Sequence, residues 1–252
     1  MRAPGQRARW VLVVVAASLG LFLSLIEVAW GVRANGSADN GRPRILATGD
    51  SMMRNVDIKI GDELGRDQVD FRSDIRIGSG VSRDDWVARA REQVREHRPD
   101  ATVVFVGGAE GYPMSGAFCC GRAWTSEYVN RVEKMMRIYS RKGTAEVYWV
   151  TLPAPRELRW RRIFAVVNRA VRRAVRRSGP HAHLVDAWAV FTPGGRYRST
   201  ARNANGEQVV VRNADGKHLS WQGSALVARL VRDALLGDGI VPELRAHTQN
   251  SE

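Results

Sequence analysis

Cysteine is nearly absent from this chain: there are two in 252 residues, Cys119 and Cys120, and they are adjacent. That excludes a disulfide framework, and no Cys/His cluster has the spacing of a structural zinc site. The core must therefore stand on packing, which a chain of this length can supply. Internal repeats and low-complexity blocks are also lacking, which excludes a solenoid and a disordered tail. Acidic residues are scarce relative to basic ones, 26 against 39, for a net charge of +13 with 44% hydrophobic residues. A charge of that sign attracts any polyanion, so it says little until the location is known.

The long apolar run that is present speaks to location. From Trp10 to Trp30 the chain reads WVLVVVAASLGLFLSLIEVAW, interrupted only by Glu27 and preceded by Arg2, Arg7 and Arg9. Roughly 20 apolar residues span a bilayer as a helix, and arginines before such a helix hold its start in the cytoplasm. The expectation is a basic cytoplasmic N-terminus over 1–9 and a single transmembrane anchor over 10–30. The remainder then lies outside the cytoplasm. A long-cored signal peptide is the alternative and puts the domain on the same side. Beyond residue 31 there remain 36 basic and 25 acidic residues. Nucleic acid is not an expected partner there, whereas anionic lipid and envelope polymer are near.

Residues 31–43, GVRANGSADNGRP, read as a linker, and a folded domain is expected over 44–238, with 239–252 as a C-terminal tail. Short β-like runs at Arg44–Ala47, Asp70–Ile77, Thr102–Val106, Glu146–Thr151 and His183–Val185 alternate with helical patterns. The helices are expected at Trp86–His97, Ser126–Lys142, Glu157–Arg177 and Trp221–Leu236. Such alternation implies an α/β domain with a parallel sheet covered on both faces. The run Gln208–Arg212, between turn signals, reads as a hairpin-like excursion.

In open parallel sheets ligands bind at the carboxyl ends of the strands. Two motifs fall at such places. ATGDSMM puts Ser51 on the turn between a strand and a helix, where backbone N–H groups are free. Near the C-terminus DGKHLS places Asp215 and His218 three residues apart, so that a carboxylate can orient an imidazole able to take a proton from Ser51. Each motif alone is an ordinary turn; together they outline a nucleophile with its base.

With these residues in view the region Arg44–Leu236 resembles the SGNH, or GDSL-type, hydrolase superfamily. Within it the chain is most similar to exported bacterial members of uncharacterised function, through LATGDSMM, WVTLPAPR, LVDAWAVFTPGGRY and DGKHLS. The resemblance implies a three-layer α/β/α flavodoxin-like fold with a central parallel sheet of about five strands. It also implies Ser51 as nucleophile, His218 as general base, Asp215 as its orienting acid, and the backbone of Ser51 and Gly80 as oxyanion donors. One departure stands out: VFVGGAEGYPM puts Ala109 where such proteins carry an oxyanion-hole Asn. Asp50, Asn55, Glu110 and Tyr112 are candidates to line the site, with Asn55 or Tyr112 able to replace the missing donor. No metal or cofactor is implied.

The implied activity is that of a serine esterase or O-acyltransferase on ester groups, acetyl above all, of envelope carbohydrate or lipid. The alternative is a weakly active or inactive glycan-binding or accessory protein. Two further features carry open readings. Cys119 and Cys120 are either a vicinal disulfide or free thiols, and the nine arginines between Arg156 and Arg177 either face solvent around a packed apolar stripe or meet an anionic surface. Trp86 and Trp124 are read as core residues, with the cleft as the other possibility.

Overall fold

The computed structural model describes residues 41–242. The expected cytoplasmic segment and anchor, most of the linker and most of the tail lie outside these residues. No helix among the described residues is long and apolar enough to cross a membrane.

Five parallel strands form the central sheet: β1 (Arg44–Gly49), β2 (Asp70–Ile75), β3 (Ala101–Phe105), β4 (Glu146–Val150) and β5 (Ala182–Val185), in the order β2-β1-β3-β4-β5. Every residue of β3 and β4 is buried, as expected of central strands covered on both faces. The covering helices are α1 (Val56–Leu64), α2 (Trp86–His97), α3 (Arg122–Tyr139), α4 (Leu158–Arg177), the short α5 (Ala187–Phe191) and α6 (Trp221–Gly237). Two short antiparallel strands, β6 (Thr200–Arg202) and β7 (Gln208–Val210), form the excursion before α6. The order 2-1-3-4-5 reverses between β1 and β3, and that switch point is where a ligand crevice opens in a doubly wound sheet.

The strand and helix boundaries follow the sequence pattern closely, with two helices missed. In α1, VDIKIGDEL contains Gly61, a poor helix former, but a Cβ at this position would stand 2.8 Å from Arg66 and 3.1 Å from Phe71, so packing favours glycine. The five-residue α5 is too short to show a period. α3 starts four residues before its expected beginning because Trp124, fully buried, belongs to its first turn and donates Nε1–H to the Tyr112 carbonyl (2.7 Å). Trp86 is equally buried at the start of α2, so both tryptophans are core residues.

The α4 arginines divide by face. Phe164, Val167, Ala170, Val171 and Ala174 form the buried stripe, while Arg162, Arg169, Arg173 and Arg176 are exposed. Arg172 reaches both oxygens of Asp186 (2.7 and 2.8 Å), the N-cap of α5. Cys119 and Cys120 are joined as a disulfide in the loop between β3 and α3.

Candidate active site

The turn that carries Ser51 is built by the close approach of two strands. Gly49, the last residue of β1, lies so near β3 that a Cβ would come 2.0 Å from the Phe105 carbonyl oxygen, so only glycine fits there. Asp50 follows, fully buried. Its Oδ1 accepts from the Met52 amide (2.8 Å), and its Oδ2 accepts from the amides of Gly107 and Gly108 (2.9 and 2.6 Å). Asp50 thus ties the turn after β1 to the loop after β3 and holds Ser51 at the mouth of the crevice. Burial pushes its carboxyl pKa up, against the pull of these three amides.

His218 and Asp215 arrive on a different support. Residues 211–213 run antiparallel to 218–220, with Ser220 N–H on Val211 O (3.1 Å) and Asn213 N–H on His218 O (3.0 Å). The turn at the tip needs Gly216, whose φ is +68° and whose missing Cβ leaves room for Arg156 at 2.7 Å. Asp215 Oδ1 accepts the amides of Lys217 (2.8 Å) and His218 (3.0 Å), and its Oδ2 is 2.5 Å from His218 Nδ1. His218 Nε2 in turn lies 2.8 Å from Ser51 Oγ, across 167 positions of sequence. The three side chains expected to act together form one hydrogen-bonded row.

Its electrostatics suit a proton relay. Partial burial raises the Asp215 pKa, but the hydrogen bonds from the His218 ring and from the Lys217 and His218 amides outweigh this and hold it below the ordinary carboxylate value. Asp215 is therefore ionised and fixes the tautomer that leaves Nε2 free to accept from Ser51. Arg212 anchors the turn from beneath. It is almost fully buried and donates to the carbonyls of Lys217 (3.1 Å) and Ala154 (3.0 Å), and desolvation pushes its pKa down to about 10.

A cavity of about 580 Å³ opens in front of Ser51. Asn55, Ala109, Asp215 and His218 line it, as do Gly78, Gly108 and Ile77. Four expectations need correction. Gly80, expected as an oxyanion donor, has its N–H on Asp84 Oδ2 (3.0 Å) and is not in the cavity lining, where Gly78 is found instead. Asp50 lies beneath the site, out of the lining. Glu110 is likewise buried, its oxygens taken by the amides of Val81 and Ser82 (2.8 Å each) and by the Tyr128 hydroxyl (3.0 Å), and burial raises its pKa. Tyr112 stands apart, its hydroxyl accepting from Arg83 (3.4 Å). Of the two residues considered as substitutes for the missing Asn, only Asn55 reaches the cavity. Sequence reasoning missed Arg54 and Lys217, which also line it and are signalled only by adjacency to Ser51 and His218.

The fold and this row of residues define an α/β protein of doubly wound parallel sheet with a Ser-His-Asp row at the carboxyl ends of its strands. More narrowly, the chain belongs to the family described as "Protein of unknown function (DUF459)", whose model matches residues 44–234. No curated protein matches it in sequence. Among solved structures it is similar to LAE5, an alpha/beta hydrolase from the metagenome of Lake Arreo, with 17% identity and a TM-score of 0.55 over 82% of this chain and 99% of that one. The C-terminal catalytic domain of the Streptococcus pneumoniae peptidoglycan O-acetyltransferase OatA, solved with a methylsulfonyl adduct, gives 12% identity and 0.51 over 80% and 97%. The psychrotrophic esterase EstA of Pseudoalteromonas sp., inhibited by monoethylphosphonate, gives 13% and 0.51 over 77% and 97%. At these identities the likeness is one of fold.

Proposed function

We propose that this protein is a serine esterase or O-acyltransferase acting outside the cytoplasm on ester groups of envelope carbohydrate. The observation that carries the reading is the continuous row Ser51 Oγ, His218 Nε2, His218 Nδ1, Asp215 Oδ2, with contacts of 2.8 and 2.5 Å. Ser51 Oγ attacks the ester carbonyl as its proton passes to His218 Nε2. The tetrahedral intermediate collapses when His218 returns that proton to the departing alcohol, leaving acyl-Ser51. A water or a sugar hydroxyl then gives a proton to His218 and attacks the acyl group, and as the bond from the acyl carbon to Ser51 Oγ breaks His218 returns that proton to Oγ, regenerating Ser51. Water makes an esterase, and a hydroxyl makes a transferase.

The developing oxyanion has backbone donors available in Ser51 and Ala109, whose N–H groups bond to no described residue. The side-chain amide of Asn55 supplies the donor that Ala109 lacks. Extracytoplasmic placement rests on the apolar run over 10–30, and the glycan substrate is supported by likeness of fold to a peptidoglycan O-acetyltransferase. The test is hydrolysis of a short-chain aryl ester by the full chain, with labelling of Ser51 by a fluorophosphonate. Turnover and labelling are expected, and both are lost in Ser51→Ala; turnover that persists in Ser51→Ala refutes the mechanism.

A further inference from the structure

Two cations line the cavity without taking part in the proton relay. Arg54 is exposed and makes no hydrogen bond or ion pair with any described residue. Lys217 is held in place: its Nζ donates to the Gly108 carbonyl (2.9 Å) and stands 4.6 Å from the centroid of the Trp160 ring. An ammonium has three N–H groups, so two remain for a ligand. Against these two positive charges the lining sets a single negative one, so a net positive charge remains. Its one carboxylate, Asp215, has both oxygens engaged by His218 and the Lys217 amide, while Asn55 and Asn213 are neutral. The buried carboxylates of Asp50 and Glu110 are not in the lining and are engaged by backbone amides. The remaining lining is small or modestly apolar, with Ile77 and Leu219 as its largest aliphatic groups, which suits a short acyl group on a polar carrier.

We infer that the carrier of the ester is an anionic glycan, whose carboxylate or phosphate is bound by Arg54 and Lys217 beside the bond to be cleaved. This rests on the acyl-transfer reading of Ser51. A neutral carrier would leave both cations facing solvent at the one place where substrate displaces water, whereas an anion there gains charge-assisted hydrogen bonds from each. The rival use of the same cations is general stabilisation of the oxyanion, which would help charged and neutral esters alike.

The experiment compares phenyl acetate with 4-acetoxybenzoate, the same ester on a neutral and on a carboxylate-bearing ring, in the full chain and in Arg54→Glu, Arg54→Lys and Arg176→Glu. Arg176, exposed in the last turn of α4, controls for the change in net charge. The ratio of kcat/KM for the charged over the neutral ester is expected to fall tenfold or more in Arg54→Glu. It should fall little in Arg54→Lys and not in Arg176→Glu, and the effect should shrink as salt is raised. An unchanged ratio, or an equal loss on both esters, overturns the inference. If the wild type turns over neither ester, acyl transfer fails on its own terms, and the charge preference is read by binding to Ser51→Ala. O-acetylated polygalacturonate is then expected to bind more tightly than O-acetylated xylan, with that preference reduced more by adding Arg54→Glu than by adding Arg176→Glu. Equal binding of the two polymers, or equal effects of the two substitutions, overturns it.

Discussion

Gly108→Ala is the most economical probe of the geometry around Ser51. A methyl carbon at position 108 would stand 3.1 Å from Ser51 Oγ, 3.2 Å from Met52 Cγ and 3.4 Å from Asp50 Oδ2. Gly108 does not have a positive φ, so the backbone accepts alanine and the effect is one of space alone. Met52 and Asp50 are fully buried and held, which leaves the Ser51 hydroxyl to give way by a few tenths of an ångström. That shift stretches the 2.8 Å contact to His218. A 1 Å misplacement of reacting groups costs on the order of 10² in rate, so a smaller one is expected to cost about 5- to 20-fold. That corresponds to about 1 to 1.8 kcal/mol in the barrier. Overpacking costs stability by about 1 to 2 kcal/mol, a fall in Tm of about 2 to 8 °C. The assay is the rate of fluorophosphonate labelling and of aryl-ester turnover, beside a thermal melt. A variant that labels at the wild-type rate with an unchanged Tm would refute the reasoning, because it would show that Ser51 Oγ does not occupy the place from which it reacts.

Three further outcomes are expected. Asn55→Ala lowers kcat by about 10- to 100-fold as an oxyanion donor is lost, and Ala109→Asn restores much of it on that background; no rescue, with the fold intact, means that the hole is completed elsewhere. Because hydrogen bonds hold the Asp215 pKa below the ordinary carboxylate value, it stays charged through neutral and mildly acid pH, and Asp215→Asn is expected to lower kcat/KM over that whole range; a variant that matches the wild type there counts against an ionised orienter. At the start of β4, Glu146 receives His181 Nδ1 (2.9 Å) and His183 Nε2 (2.8 Å), and although burial pushes its pKa up, these bonds hold the net value below the ordinary one. A depressed carboxylate pKa stabilises the fold above its unfolded value and loses that contribution as pH falls through the folded one. Glu146→Gln should therefore lower Tm at neutral pH, through a loss of about 1 to 2 kcal/mol, with the gap narrowing under acid; a constant gap across pH would assign the effect to packing.

The fold was legible where burial is one-sided or complete. The continuous apolar runs of β3 and β4 and the striped pattern of α4 mark their elements because every side chain there answers to one environment. α1 escaped notice because Gly61 answers instead to Arg66 and Phe71, a tertiary reason invisible in local pattern. Within the site, Ser51, His218 and Asp215 were readable from motif chemistry, and their hydrogen bonds follow from where the strand ends converge. The cavity lining was less so, since backbone groups carry no residue signature. Gly80 and Gly78 look alike in sequence, and only the Asp84 carboxylate, which takes the Gly80 amide, separates them. Arg54 and Lys217 were overlooked because single cations in a chain with 39 of them have no contrast.

The tight turn that carries both Asp215 and His218 has a consequence for how such a molecule changes over time. Orienter and base are joined within four residues and bonded to each other locally, while Ser51 belongs to a distant stretch. On the proposed mechanism, replacing that one short tip by exchange between related chains would transplant the acid–base half as a working piece, and losing it would take Lys217 away with the chemistry while leaving the sheet, the cavity floor and Arg54 in place for binding alone. Catalysts and silent binders of this architecture can thus stand one loop apart.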